Sequence, residues 1–248
     1  MLLEGSAVVL AGGTGRVGGA TLRTAVAEGA RVLVLSRSRE SAERAIERCV
    51  DEGQRARALA FQADLSHEED GEAAIREAQR RFGRVDAVIS LAGGGSRFVA
   101  IADSTIDDLR QSLANNAVAA YNLMIPALRA MLAQEPLAGA RSRGRLVAVT
   151  AGSSLDPQPR FGLMGAGKSA VNILMKAIAR EHKGDGIVAN AVVLGGVATE
   201  AAREYLDAAD FAAATTPEEV ADVLTFLAAD RSSGINGALV EVNAREVD

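Results

Sequence analysis

The chain of 248 residues carries 27 Lys and Arg against 32 Asp and Glu, and 48% of it is hydrophobic. A net charge of −5 excludes a general polyanion binder, and the length allows one sizeable core, read here as a single domain over 1–248. One cysteine (Cys49) excludes an internal disulfide, and two histidines (His67, His182) lack ligand spacing, so no metal site is expected.

No apolar run reaches the ~18 residues of a membrane span, and the first residues lack the basic start of a leader. The expectation is a cytoplasmic protein acting on a small molecule, with no nucleic-acid or membrane partner. In chain order, an apolar run at 6–11 ends in glycines and precedes a helical pattern over 16–28. A run at 31–35 leads through Ser36-Arg37-Ser38 into a charged helix, 39–52. A strand at 58–61, a charged helix at 67–82 and a strand at 85–90 follow, the last closing on Gly93-Gly94-Gly95. The long helical period at 106–134 contains Pro126, which either kinks it or packs against a neighbour. Then come a strand at 146–149, a long helix at 162–182, a strand at 187–194, a helix from Pro217 to Ala229 and a strand at 238–242. Short continuous apolar strands alternating with helices imply an α/β, Rossmann-type doubly wound parallel sheet of about seven strands, with helices on both faces.

Gly13-Thr14-Gly15-Arg16-Val17-Gly18 fits G-x-G-x-x-G between the first strand and the first helix. Glycines there let the backbone turn and approach a pyrophosphate, which the helix N-terminus stabilises. The tip of the second strand then selects the dinucleotide. An acid would hold a ribose 2′-hydroxyl, but Ser36 and Arg37 suit a 2′-phosphate, with Arg16 or Arg39 as a second contact. NADP(H) is the expected cofactor. The bland alternative for Arg37 is a solvated arginine at a helix start.

Further along come Ala63-Asp64-Leu65, Ser90-Leu91-Ala92-Gly93, Leu194-Gly195-Gly196-Val197-Ala198-Thr199, Thr216-Pro217-Glu218-Glu219 and Ser233-Gly234-Ile235-Asn236-Gly237. In order and spacing, the chain resembles the short-chain dehydrogenase/reductase family over 6–243. The resemblance implies a cofactor site of Gly12, Thr14, Gly15, Arg16, Val17, Gly18, Ser36, Arg37, Asp64, Leu65, Ala92, Gly93, Gly94, Lys168, Gly195, Val197 and Thr199. In it, Asp64 meets the adenine, Lys168 the ribose and Thr199 the nicotinamide amide. The glycine loop reads two ways. The family's Thr-Gly-x-x-x-Gly-x-Gly puts Ala11, Gly12 and Arg16 on the Thr and the first two glycines, whereas Gly12-x-x-Gly15-x-x-Gly18 resembles the extended and atypical branches.

The family's catalytic signature is Ser, then Tyr-x-x-x-Lys, with an Asn on the preceding long helix. Here those positions read Ala151, Met164-Gly165-Ala166-Gly167-Lys168 and Asn116, or Asn115 if the register slips by one. Lys168 and Asn116 remain, but a methyl and a thioether have no proton to give. Ser153 is the first candidate to replace the donor, ahead of Ser154, Asp156, Ser96 and Tyr205, while Tyr121 reads as an apolar-face residue.

Losing a general acid removes about 10²–10⁴ in rate, whereas a positioned nicotinamide keeps the proximity gain. Three readings follow. One is an NADP(H)-dependent oxidoreductase reducing a carbonyl or activated double bond, with a non-standard or substrate-supplied proton. Another is a catalytically silent NADP(H)-binding subunit or sensor, paired with a homologous active subunit. The third is a lyase, cyclase or isomerase in the same cleft. The family's two long helices pack across a twofold axis, which implies a homodimer or homotetramer. The short alanine-rich segment between Thr199 and Thr215 implies a modest lid.

Overall fold

Val, Leu, Ile and Ala in short runs build seven strands in the computed structural model, which describes residues 1–204 and 207–243. They are β1 (Ala7–Ala11), β2 (Arg31–Ser36), β3 (Ala58–Gln62), β4 (Ala87–Ser90), β5 (Gly144–Ala151), β6 (Ile187–Leu194) and β7 (Leu239–Val242). All pair in parallel, in the order β3-β2-β1-β4-β5-β6-β7. The helices are α1 (Arg16–Ala27), α2 (Arg39–Cys49), α3 (Glu68–Phe82), α4 (Ile106–Leu113), α5 (Ala119–Leu132), α6 (Gly162–Glu181), α7 (Ala208–Ala213) and α8 (Pro217–Ala228).

The strand period of two divides the core. Val8, Leu10, Val32, Val34 and Ile89 pack with Leu22 of α1, Ile46 of α2 and Leu224 of α8. Val9, Leu33, Leu35, Val88 and Leu146 pack with Ile75 of α3, Leu123 of α5 and Met175 of α6 on the opposite face. Both faces are covered, which is why these strands read as unbroken apolar runs. The strand order reverses between β1 and β4, so a crevice opens beyond their carboxyl ends.

Two helices differ from the sequence expectation. The charged stretch 39–52 stops at Cys49, and residues 52–57 form a 3-10 turn instead. The long period at 106–134 is interrupted by a π turn, Ala114–Val118, between α4 and α5. One added residue in a turn keeps the backbone helical, so hydrophobic spacing hardly registers it. Pro126 removes the N–H that would meet the Asn122 carbonyl, and that oxygen lies against Gly71 of α3, where a Cβ would overlap it. Among the described residues, no helix is long and apolar enough to cross a membrane.

Candidate functional site

The glycine loop fills the crevice at the end of β1. Gly12 has φ 81°, a left-handed conformation that disfavours any side chain, and the Gly15 N–H closes the turn on Gly12 O at 3.3 Å. Gly15 caps α1 with extended backbone, and a Cβ on Gly18 would overlap Gly12 O. The loop therefore works through Gly12, Gly15 and Gly18. Arg16 is an exposed first-turn residue, and Val17 packs beside the α1 core. The first N–H groups of α1 have no acidic side chain near them in sequence to satisfy them.

A cleft of about 650 Å³ runs from this loop across β2, β3 and β4. It gathers Gly12, Thr14, Gly15, Ser36, Arg37, Asp64, Leu65, Ala92, Gly93 and Gly94, together with Asn115. Arg37 is exposed on this wall and forms no hydrogen bond or ion pair among the described residues. Arg39 is tied to Glu43 at 3.0 Å and does not line the cleft. Asp64 accepts from the Ser66 N–H at 3.0 Å and hydroxyl at 2.8 Å, and those bonds, with lesser help from His67 and Arg37, hold its carboxyl below the usual range.

At the other end, Gly93, Gly94 and Gly95 have φ of 142°, 104° and 66°. The Gly94 N–H donates to Asn116 Oδ1 at 3.1 Å, and Asn116 Nδ2 donates to Ser112 O at 2.8 Å. Lys168 Nζ donates to Val149 O at 3.0 Å, and a Cβ on Gly93 would collide with Nζ and Asn116 Oδ1 together. Lys168 and Asn116 thus converge on one glycine. The π turn separates the two asparagine candidates: Asn116 is fully buried under Gly94, while Asn115 faces the cleft. Burial alone pushes the Lys168 ammonium down to about 8.

Met164 sits one turn before Lys168 on the same helix and is half-buried, as is Ala151 at the end of β5. The expected substitute donors are mostly committed elsewhere. Ser96 Oγ pairs with Ser112 Oγ at 2.8 Å, and Ser154 Oγ donates to Ala151 O at 2.6 Å. Asp156 is exposed, and Tyr205 lies outside the described residues. Ser153 Oγ is sealed from solvent without a hydrogen-bond partner among the described residues, so it does not present itself to the open cleft. Gly195, Val197 and Thr199 follow β6 but do not line the cleft; Val197 bridges to Thr215 instead. Tyr121 is exposed on α5.

Sequence reasoning missed a contact between the loops after β4 and β5. Phe98 and Phe161 lie 4.7 Å apart by ring centroids, and Arg160 Nη2 donates to Phe98 O at 3.0 Å. Arg160 does so with φ 73°, the one positive value at a non-glycine residue among those described. An arginine carries no sequence signal for that conformation.

The short chain dehydrogenase family model matches residues 6–210. Meso-2,3-butanediol dehydrogenase of Serratia marcescens is 28% identical over 98% of this chain and 95% of its own. A chloroplastic NADPH-dependent aldehyde reductase-like protein of Arabidopsis thaliana is 26% identical over 77% of this chain and 72% of its own. Among solved structures, an NAD+-bound xylitol dehydrogenase superposes with a TM-score of 0.86 at 22% identity, covering 99% of this chain and 100% of its own. The glycine turn at the switch point and this match over most of its length agree: the chain belongs to the short-chain dehydrogenase family of oxidoreductases, which uses a nicotinamide dinucleotide.

Proposed function

We propose that this is an NADP(H)-dependent oxidoreductase that reduces a carbonyl or an activated double bond, its proton coming from the substrate rather than from residue 164. Arg37 carries the cofactor reading. Where a ribose-binding acid would stand, an unpaired guanidinium and Ser36 line the cleft, a donor set that suits a 2′-phosphate. The Gly12–Gly15 turn and the α1 N-terminus suit the diphosphate. On this reading Asp64 serves the adenine end, Lys168, buried behind Gly93, serves a ribose hydroxyl, and the segment after β6 with Gly195, Val197 and Thr199, outside the cleft lining, serves the amide.

A bound nicotinamide supplies the hydride. This chain's residues then have little to offer the oxygen that becomes negative, since Ala151 cannot orient it and Met164 cannot protonate it. With Ser96 paired and Ser153 Oγ sealed, a substrate bearing its own acidic hydroxyl beside the carbonyl, as in a phenolic ketone, closes the gap. The same loss of both substrate-contacting side chains favours a second reading, a silent NADP(H)-binding subunit or sensor beside an active homologue. A lyase, cyclase or isomerase has less support, because the dinucleotide features are kept. Exposed Val118, Tyr121 and Ile173 on the α5 and α6 flanks support assembly into a homodimer or homotetramer.

Calorimetry with NADPH and NADH, followed by NADPH oxidation over phenolic and simple ketones, tests this. NADPH should bind tighter, and only the phenolic ketones should turn over appreciably. Equal affinities would remove the Arg37 argument, fast turnover of simple ketones would remove the substrate-proton argument, and tight binding without turnover would leave the silent subunit.

A further inference from the structure

We propose that Arg48 is a positioning residue for the dinucleotide phosphates, holding the glycine loop through the Thr14 carbonyl; this rests on the cofactor reading above. Arg48, in the last turn of α2, reaches across α1, and its Nη2 donates to Thr14 O at 3.2 Å. The crossing lies over Gly19, where a Cβ would meet Cys49 Sγ at 2.9 Å and stand 3.9 Å from Arg48 Nη2. A side chain at 19 would press on the sulfur beside which the guanidinium passes. From within, the loop is closed by the long Gly15 N–H to Gly12 O bond of 3.3 Å. Thr14 is thus fixed from outside by Arg48 while it and Gly15 line the cleft.

The charges point the same way. A helix N-terminus carries a positive partial charge and favours anions. Here α1 has no acid in its first turn, Arg16 stands at its first position, and neither Arg16 nor Arg48 forms an ion pair among the described residues. Two unpaired cations beside a positive helix end repel one another, and a diphosphate relieves that repulsion. Arg37 and Arg48 divide the work. Arg37 acts on the 2′-phosphate, which only NADP(H) has, and Arg48 acts on the diphosphate loop that both dinucleotides share.

The test uses Arg48→Gln, Arg48→Lys and Gly19→Ala in the full chain. In the ligand-free protein, amide hydrogen exchange over residues 12–18 should accelerate in Arg48→Gln and Gly19→Ala, with β4 and β5 unchanged. Arg48→Gln should weaken NADPH and NADH alike, by about fivefold, with their ratio preserved. Arg48→Lys, which keeps the charge and a donor, should recover part of the loss. Unchanged loop exchange in Arg48→Gln overturns the clamp. Faster exchange with both affinities intact overturns the positioning role, and so does a shifted NADPH-to-NADH ratio. If the wild type binds neither dinucleotide, the cofactor reading fails, while the exchange data still decide the clamp.

Discussion

At the β1 end of the cleft the wall is made by backbone. Gly12 turns, Gly15 caps, and Gly18 lets α1 close onto the Gly12 carbonyl. At the β4–β5 end the proposed chemistry depends on side chains, and on the alignment proposed above Ala151 and Met164 stand there near the buried Lys168 and Asn116. A backbone device tolerates sequence change as long as a few positions stay small. A proton donor disappears with one substitution, while the surrounding packing scarcely registers it. The two ends of one cleft can therefore diverge independently, and fold likeness speaks for the first end more than for the second.

Breaking the backbone end should have the largest effect. Gly18→Val places branched carbon on the Gly12 carbonyl, so NADPH binding should fall beyond calorimetric detection and stability should drop by about 1–3 kcal/mol on denaturant unfolding. Persistent binding would mean that the loop yields more than its packing implies. Repairing the side-chain end comes next. Ala151→Ser with Met164→Tyr should raise reduction of simple ketones by about 10²-fold, with Met164→Phe as the inert control. A double variant that binds NADPH yet gains nothing would put the catalytic corner elsewhere. Arg37→Asp should then shift the NADPH-to-NADH affinity ratio by about tenfold toward NADH.

The smallest effect concerns Lys168. Its folded pKa of about 8 lies below the 10.5 of an ordinary lysine. Between those values the unfolded chain binds more protons, so this group makes the protein more stable as pH rises through that window, and its penalty is constant below pH 8. Unfolding of the ligand-free wild type compared with Lys168→Met should show the wild type gaining about 1 kcal/mol on the variant between pH 8 and pH 9. A pH-independent difference would place the ammonium in a wetter setting than its burial indicates.

The glycine turn after β1 read two ways in sequence, and only the φ of Gly12 and the close approach of Gly18 to Gly12 O fix its path. The sheet was legible because buried parallel strands announce themselves as unbroken runs such as 31–35 and 187–194. The π turn was not, since an extra residue at 114–118 leaves the apolar period nearly intact, yet it decides that Asn116 turns inward and Asn115 toward the cleft. The fates of Ser96 and Ser153 were equally hidden. Ser96 is engaged by Ser112, sixteen positions away on α4, and Ser153 is sealed by packing, and neither is written in local sequence. The family pattern supplied Lys168 and Asn116, but their convergence on Gly93 was hidden, because it joins three elements distant in the chain.

The Arg160 tie has a mechanical consequence. Its left-handed backbone costs about 1–2 kcal/mol for a side-chain-bearing residue, and its guanidinium and the neighbouring Phe161 ring both grip Phe98. The loop after β4 and the loop before α6 are thereby yoked, so a displacement of either one strains the other. Arg160→Gly would relax the backbone and sever the tether in the same stroke, letting each loop shift without straining the other.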